Sequence, residues 1–97
     1  MTRINYSPAF WEDLERLIGF LMTQNTIAGL ATYDIVISGI DLLKRHPEIG
    51  RLVTKDGLRE LVISRGKTGY IALYSYDDLL DLVSVVSIWH QRESGFN

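Results

Sequence analysis

The stretch Ile27-Ala-Gly-Leu-Ala-Thr-Tyr-Asp-Ile-Val-Ile-Ser-Gly-Ile-Asp-Leu-Leu-Lys-Arg45 decides the fold. Its middle, Tyr33-Asp34-Ile35-Val36-Ile37, is rich in the β-branched residues that favour strands. Gly29 and Gly39 each cost a helix about 1 kcal/mol relative to alanine. Against these, Leu30, Ile37, Ile40 and Leu43, with Ala31 and Tyr33, fit a helical stripe, and no turn signal interrupts the segment. Length settles the competition, because an uninterrupted run of this size is too long for an ordinary strand. The segment reads as a helix that ends at His46-Pro47.

The preceding residues supply its partner. Arg3-Ile4-Asn5-Tyr6 alternates polar and apolar residues as a short strand does, and Ser7-Pro8 then opens a helix. Ser7 is a capping residue, and Pro8 suits the first helical position, where its missing N–H would have no partner anyway. Glu12, Asp13 and Glu15 near the start favour the helix dipole. Phe10, Leu14, Leu17 and Leu21 recur at helical spacing, with Trp11, Ile18 and Met22 widening the stripe, to about Thr23. Gln24-Asn25-Thr26 breaks the pattern, with Thr26 as the expected second cap. The two helices are expected to form an antiparallel hairpin.

Downstream, Glu48 to Gly57 reads as a polar connection, and three strands follow. Leu58–Arg65 sets Leu61 and Ile63 against Leu58, Val62 and Ser64; Gly66-Lys67-Thr68-Gly69 reads as a four-residue hairpin loop. Tyr70–Tyr76 puts Tyr70, Ala72, Tyr74 and Tyr76 on one side. Leu80–His90 puts Leu82, Val86, Ile88 and His90 on one face, and its Val/Ile content implies a central strand covered on both faces. The expected architecture is a single α+β domain over residues 1–97, β-α-α-β-β-β, with the helical hairpin packed on a small, mostly antiparallel sheet.

Composition narrows the chemistry. The 97 residues include no cysteine, which excludes disulfides, Cys-ligated metals and thiol nucleophiles. His46 and His90 lie in unrelated segments without ligand spacing, and no phosphate-cradling loop precedes a helix, so neither metal nor cofactor is expected. No apolar run is read as reaching the roughly 18 residues of a membrane span, and Met1-Thr2-Arg3-Ile4 begins no signal peptide; the expected location is the cytoplasm, without membrane contact. The net charge of −2 resolves into −3 over residues 1–43, +4 over 44–67 and −3 over 68–97. The central segment carries Arg59, Arg65 and Lys67. His90 with Arg65 and Arg92 could serve phosphodiester chemistry, the imidazole carrying a proton and the guanidinium groups stabilising a pentavalent phosphate.

Several motifs in this order resemble the RelE/ParE family of type II toxin–antitoxin toxins. They are Tyr6-Ser7-Pro8-Ala9 with Glu12-Asp13-Leu14, the hairpin ending at His46-Pro47, Arg59-Glu60-Leu61, Gly69-Tyr70-Ile71-Ala72-Leu73-Tyr74, and Ile88-Trp89-His90-Gln91-Arg92-Glu93. The resemblance implies either a RelE-like ribosome-dependent mRNA endoribonuclease or a ParE-like poison of DNA gyrase, of the kind linked to plasmid stabilisation. A third possibility is an antitoxin-binding module of little toxicity. Arg65 and Arg92 fall near arginines of the RelE-like nucleases. Their C-terminal catalytic tyrosine has no match, since Phe96 lies closest and cannot exchange a proton. The His90-Gln91-Arg92 ending looks ParE-like, and a net charge of −2 works against docking on ribosomal RNA. The ParE-like reading is therefore preferred, with Arg59, Arg65, Lys67, His90, Arg92 and Phe96 as target-binding candidates. A cognate ParD-like or RelB-like antitoxin is the implied partner in a hetero-oligomer. Phe10, Trp11, Phe20, Leu21 and Met22 exceed what one face of the first helix needs and are the candidates for binding it.

Overall fold

The computed structural model describes residues 1–65 and 68–91. Two helices, α1 (Pro8–Gln24) and α2 (Thr26–Asp41), pack on one face of a sheet of β1 (Arg3–Tyr6), β2 (Arg51–Leu52), β3 (Leu58–Arg65), β4 (Thr68–Asp77) and β5 (Leu82–His90). The strand order is β1-β5-β4-β3-β2. β1 runs parallel to β5 and the other pairings are antiparallel, so this is the expected α+β architecture with one additional strand. That strand, β2, lies inside the connection read as irregular. Two residues are too few to leave a periodic signal.

Ser7 caps α1 as expected, its side chain accepting from the Phe10 N–H at 3.0 Å, with Pro8 in the first turn. Phe10, Leu14, Leu17 and Leu21 form the buried stripe. Each buried side chain of this size contributes about 1.5–3 kcal/mol. The second cap is Asn25 rather than Thr26. Its side chain accepts from the Ala28 N–H at 3.1 Å while its own N–H reaches the Leu21 carbonyl at 2.8 Å, so one residue ends α1 and starts α2.

The α2 stripe also differs from the expected one. Gly29, Thr32, Val36 and Ile40 face inward, followed by Leu43 in a 3-10 turn over Leu42–Lys44, whereas Leu30 and Tyr33 are 65% and 48% exposed. The inner face is chosen by size. A Cβ on Gly29 would lie 2.8 Å from the Met22 backbone nitrogen and 2.9 Å from its Cα, and one on Gly39 would lie 2.7 Å from an Ile63 methyl. The two glycines that weaken the helix locally are what let it approach α1 and β3. The continuous helical span Thr26–Lys44, 19 residues at a mean hydropathy of 1.4, is long and apolar enough to cross a membrane, contrary to the expectation from the sequence. Its inner face is here packed against protein.

In the sheet, Leu61, Ile63, Tyr70, Ala72, Tyr74, Val83, Val85 and Ile88 face the helices. The tight end of the β3–β4 hairpin is shorter than expected, because Thr68 and Gly69 pair with Arg65 and Ser64. The grouping of Leu82 and Val86 with Ile88 and His90 fails at a β-bulge. Leu73 pairs with Ser87 but Tyr74 pairs with Val85, so Val86 is an extra residue and the inward parity switches there. β5 has a strand on each side, yet its outer face is not covered: Val86 is 37% exposed.

Hydrogen bonds, one of them fully buried, fix the margins. The Tyr74 hydroxyl accepts from the Gly50 N–H at 2.9 Å, and Arg59 donates to the carbonyls of Glu48 and Gly50, which clamps the chain before β2 onto the sheet. At the start of β1, the Asp81 carboxylate accepts from the Thr2 and Tyr76 hydroxyls at 2.7 and 2.9 Å. These bonds hold its carboxyl below the usual carboxylate range.

Gly29→Ala is expected to destabilise the protein in urea unfolding, although alanine is the better helix former by about 1 kcal/mol; a gain in stability would show that the helices can separate without penalty. Tyr74→Phe leaves the buried Gly50 N–H unpaired and should cost about 1–3 kcal/mol. Because the Asp81 pKa is lowered on folding, its contribution is present above the unfolded carboxylate value of about 3.9 and lost as pH falls through the folded value. Asp81→Asn should therefore flatten the acid limb of a stability-versus-pH curve below about pH 4.

Candidate functional site

The end of the sheet that carries the β3–β4 hairpin gathers the chemistry-bearing residues. Ile63 pairs with Tyr70, which pairs with His90, so the Arg65 backbone and His90 stand at the same end of the two strands that flank β4. A Cβ on Gly69 would overlap the Gln91 side chain, which is why the hairpin can lie so close to the chain leaving β5.

α1 positions this end of β5. β1 stops pairing at Tyr6–Val85, and Ser7 continues the edge by donating its N–H to the Val85 carbonyl and its hydroxyl to the Val86 carbonyl at 2.8 Å. Asp13 then accepts from the Ser87 hydroxyl at 2.8 Å and from the Ile88 N–H at 3.4 Å. Asp13 therefore serves the sheet edge, a role its position near the helix start does not announce. These contacts flank the bulge at Val86, and the bulge turns Ile88 and His90 inward.

His90 is consequently a core residue. It is 1% exposed and meets Tyr70 edge-on, ring centroids 5.3 Å apart. Thr32 donates to the Ala28 carbonyl, so its oxygen is the acceptor for the Tyr70 hydroxyl at 3.2 Å. Tyr70 thus links His90 below to α2 above. In this arrangement the imidazole is enclosed at the sheet end, whereas the sequence reading expected a proton carrier or a target contact there.

The other candidates separate. Arg59 is engaged by the fold, donating to Glu48 and Gly50 carbonyls and lying 3.5 Å from the Glu48 carboxylate. Arg51, also in the cationic segment, is paired with Glu60 at 2.8 Å. The Arg65 backbone ends β3; Lys67, Arg92 and Phe96 lie outside the described residues. Phe10 and Leu21 are core, 0% and 5% exposed, and cannot bind a partner as they stand. Trp11, Phe20 and Met22 are 42%, 38% and 39% exposed. Among the described residues no three His, Asp or Glu side chains gather as a metal site.

Sequence reasoning missed the apolar surface on α2. Ile27, Leu30 and Tyr33 are exposed at 81%, 65% and 48%. Beside them Trp11, Leu14, Glu15, Ile18 and Tyr33 line an open cavity of about 330 Å³ between the helices. Tyr6, Phe10 and Trp11 form a tilted and edge-on aromatic cluster with ring centroids 4.8–5.0 Å apart. The available signal was the excess of large apolar residues over what one helical face can bury.

Comparison with known proteins places these features in context. The family described as the ParE toxin of type II toxin–antitoxin system, parDE, matches residues 4–95. Toxin RelE3 of Caulobacter vibrioides is 28% identical over 93 residues, covering 96% of this chain and 98% of that protein. The toxin–antitoxin complex RelBE2 of Mycobacterium tuberculosis contains a chain that superposes with a TM-score of 0.61 at 19% identity, over 93% of this chain and 98% of that one. It shares the fold.

Replacing Asp13 by alanine should cost about 1 kcal/mol, since it removes the acceptor for Ser87 and Ile88 at a partly exposed edge. Amide exchange at Ile88 should accelerate while amides at the far end of β5 keep their protection; uniform acceleration along β5 would mean that Asp13 does not act locally.

Proposed function

Because the chain belongs to the ParE toxin family of type II toxin–antitoxin systems, we propose that it arrests growth by binding and poisoning DNA gyrase, and that a cognate antitoxin neutralises it. The observation that carries the choice of target is the burial of His90 at 1% exposure. Cleaving RNA requires groups that move protons at the attacking and leaving oxygens. The imidazole of His90 is buried edge-on against Tyr70. Poisoning a topoisomerase asks for a binding surface instead, because the enzyme supplies the strand cleavage. The charge agrees with this: Arg51 and Arg59 are paired with Glu60 and Glu48, so part of the central cationic segment is neutralised within the fold. A protein gaining affinity by displacing counterions from ribosomal RNA would keep such cations available.

Arg65 at the hairpin end, with Lys67, Arg92 and Phe96, is the proposed contact set for gyrase. The exposed residues Trp11, Phe20 and Met22 are proposed for the antitoxin, in a hetero-oligomeric complex like the one in which the RelBE2 toxin was seen. A RelE-like ribosome-dependent mRNA endoribonuclease is the second reading, in keeping with the likeness to a protein named Toxin RelE3. The site of action proposed in either case is the cytoplasm.

Purified protein should inhibit negative supercoiling by gyrase and accumulate cleaved DNA, and Arg65→Ala should weaken both about tenfold or more while preserving the circular-dichroism spectrum. Expression without antitoxin should induce the SOS response before translation stops. Normal supercoiling at excess toxin, together with cuts in mRNA mapped by primer extension, would replace this reading by the ribonuclease one.

A further inference from the structure

The turn between β4 and β5 holds two leucines in water. Leu79 is 93% exposed and Leu80 57%, within Asp77-Asp78-Leu79-Leu80-Asp81. The turn is nevertheless stapled in place. The Leu80 N–H donates to the Asp77 side chain at 3.1 Å, and the Arg3 guanidinium donates to the Leu80 carbonyl at 3.3 Å. Asp81, in the left-handed region at φ 51°, accepts from the Thr2 and Tyr76 hydroxyls at its carboxylate and from the Arg3 N–H at its carbonyl. An apolar pair fixed on a firm turn loses little freedom when something covers it, which is what an anchor for a partner requires. Three aspartates and no cation in five residues give that anchor an acidic collar.

Thr2 joins this turn to a surface of the opposite kind. While its hydroxyl holds Asp81, its N–H donates to the Lys44 carbonyl at 3.4 Å. Two open cavities meet beside Lys44 at Leu42, which lines both. One, of about 370 Å³, is lined in part by Met1, Lys44 and Arg45; the other, of about 430 Å³, is lined in part by Ile49, Leu61 and Val62. Met1, Leu42, Ile49 and Val62 all stand exposed. The carboxylates of these cavities are already matched, Asp41 by Lys44 at 3.5 Å and Glu60 by Arg51 at 2.8 Å. Arg45 is exposed and in no ion pair among the described residues, and the same holds for Asp78 on the turn.

We propose that two copies of this chain pair through this end about a two-fold axis, Leu79 and Leu80 of each entering the cavities at Leu42 of the other while Asp78 meets Arg45. A surface that is acidic and apolar in one part and basic and apolar in the next is self-complementary under such an axis. The contact is therefore made twice and closes at a dimer. Opposite charges set its register, and the leucines leave water.

Sedimentation equilibrium of the free protein should show a mass that rises with concentration to that of two chains and no further. Leu79→Ser, at an exposed turn position, should raise the dissociation constant about tenfold or more with an unchanged circular-dichroism spectrum. Asp78→Lys and Arg45→Glu should each weaken self-association, because each sets like charges together twice in its own dimer. An equimolar mixture of the two should dimerise as well as the original chain, since both contacts of the mixed dimer again join opposite charges. Leu30→Asp, on the outer face of α2, should leave the dimer intact. A monomer at every concentration up to the millimolar range overturns the inference. So does a dimer that survives Leu79→Ser and dissolves with Leu30→Asp, or a mixture that associates no better than its components. Leu79-dependent adsorption of a monomer to phosphatidylcholine vesicles also overturns it and assigns the turn to a lipid surface. None of the turn and cavity residues belongs to the sets proposed for gyrase or the antitoxin, so a failed supercoiling assay leaves this contact standing, and its own failure leaves those proposals standing.

Discussion

The closeness of α2 to what lies beside and beneath it is the constraint on which the rest of the structure depends. Gly29 meets the backbone of Met22, Gly39 meets the side chain of Ile63, and Asn25 alone joins the two helices. A connection of one residue leaves little freedom in how the helices cross, so the contact at Gly29 must be made by a residue without a Cβ. Once α2 is seated there, Val36 and Ile40 meet the core and Thr32 reaches Tyr70. The helical cost of two glycines is offset by contacts that any larger residue would prevent.

The same seating explains the molecule's surface. The inner side of α2 is taken by Gly29, Thr32, Val36 and Ile40, and Ile27, Leu30 and Tyr33 remain outside. A helix that is apolar all round normally lies in the middle of a protein or in a bilayer. Here it has a packed inner face and an exposed outer face beside the groove against α1. The exposure of the outer face follows from a packing requirement elsewhere on the same helix.

Charge is distributed in a similar way, with fold and recognition competing for the same residues. Arg59 and the Tyr74 hydroxyl hold the chain before β2, and Arg51 pairs with Glu60 across the adjoining strands, so cations that look available in the sequence are partly committed to architecture. Conversely, Asp13, which looks like an ordinary helix-start carboxylate, closes the edge of β5 where β1 stops. Its contacts stand beside the bulge that sends His90 into the core. An imidazole near two arginines suggests chemistry when read in one dimension, but burial turns it into a packing group.

What the sequence determined by itself is whatever depends on neighbours within a turn or a hairpin. The Ser7-Pro8 start, the buried stripe Phe10, Leu14, Leu17 and Leu21, and the alternation of Tyr70, Ala72 and Tyr74 are all present as read, because capping and periodicity are local energies. The helical state of residues 26–41 was also legible, since length outweighs the strand preference of its β-branched core. The orientation of that helix was not, because an all-round apolar pattern carries no phase and only contacts with Met22 and Ile63 choose one. The inward turn of Ile88 and His90 was equally hidden: one extra residue at Val86 reverses the parity of everything after it, and it is paired off against β4 and α1, distant in sequence. The exposed cavity shares that origin. It joins residues of two helices whose relative placement is decided by how closely a glycine lets their backbones meet.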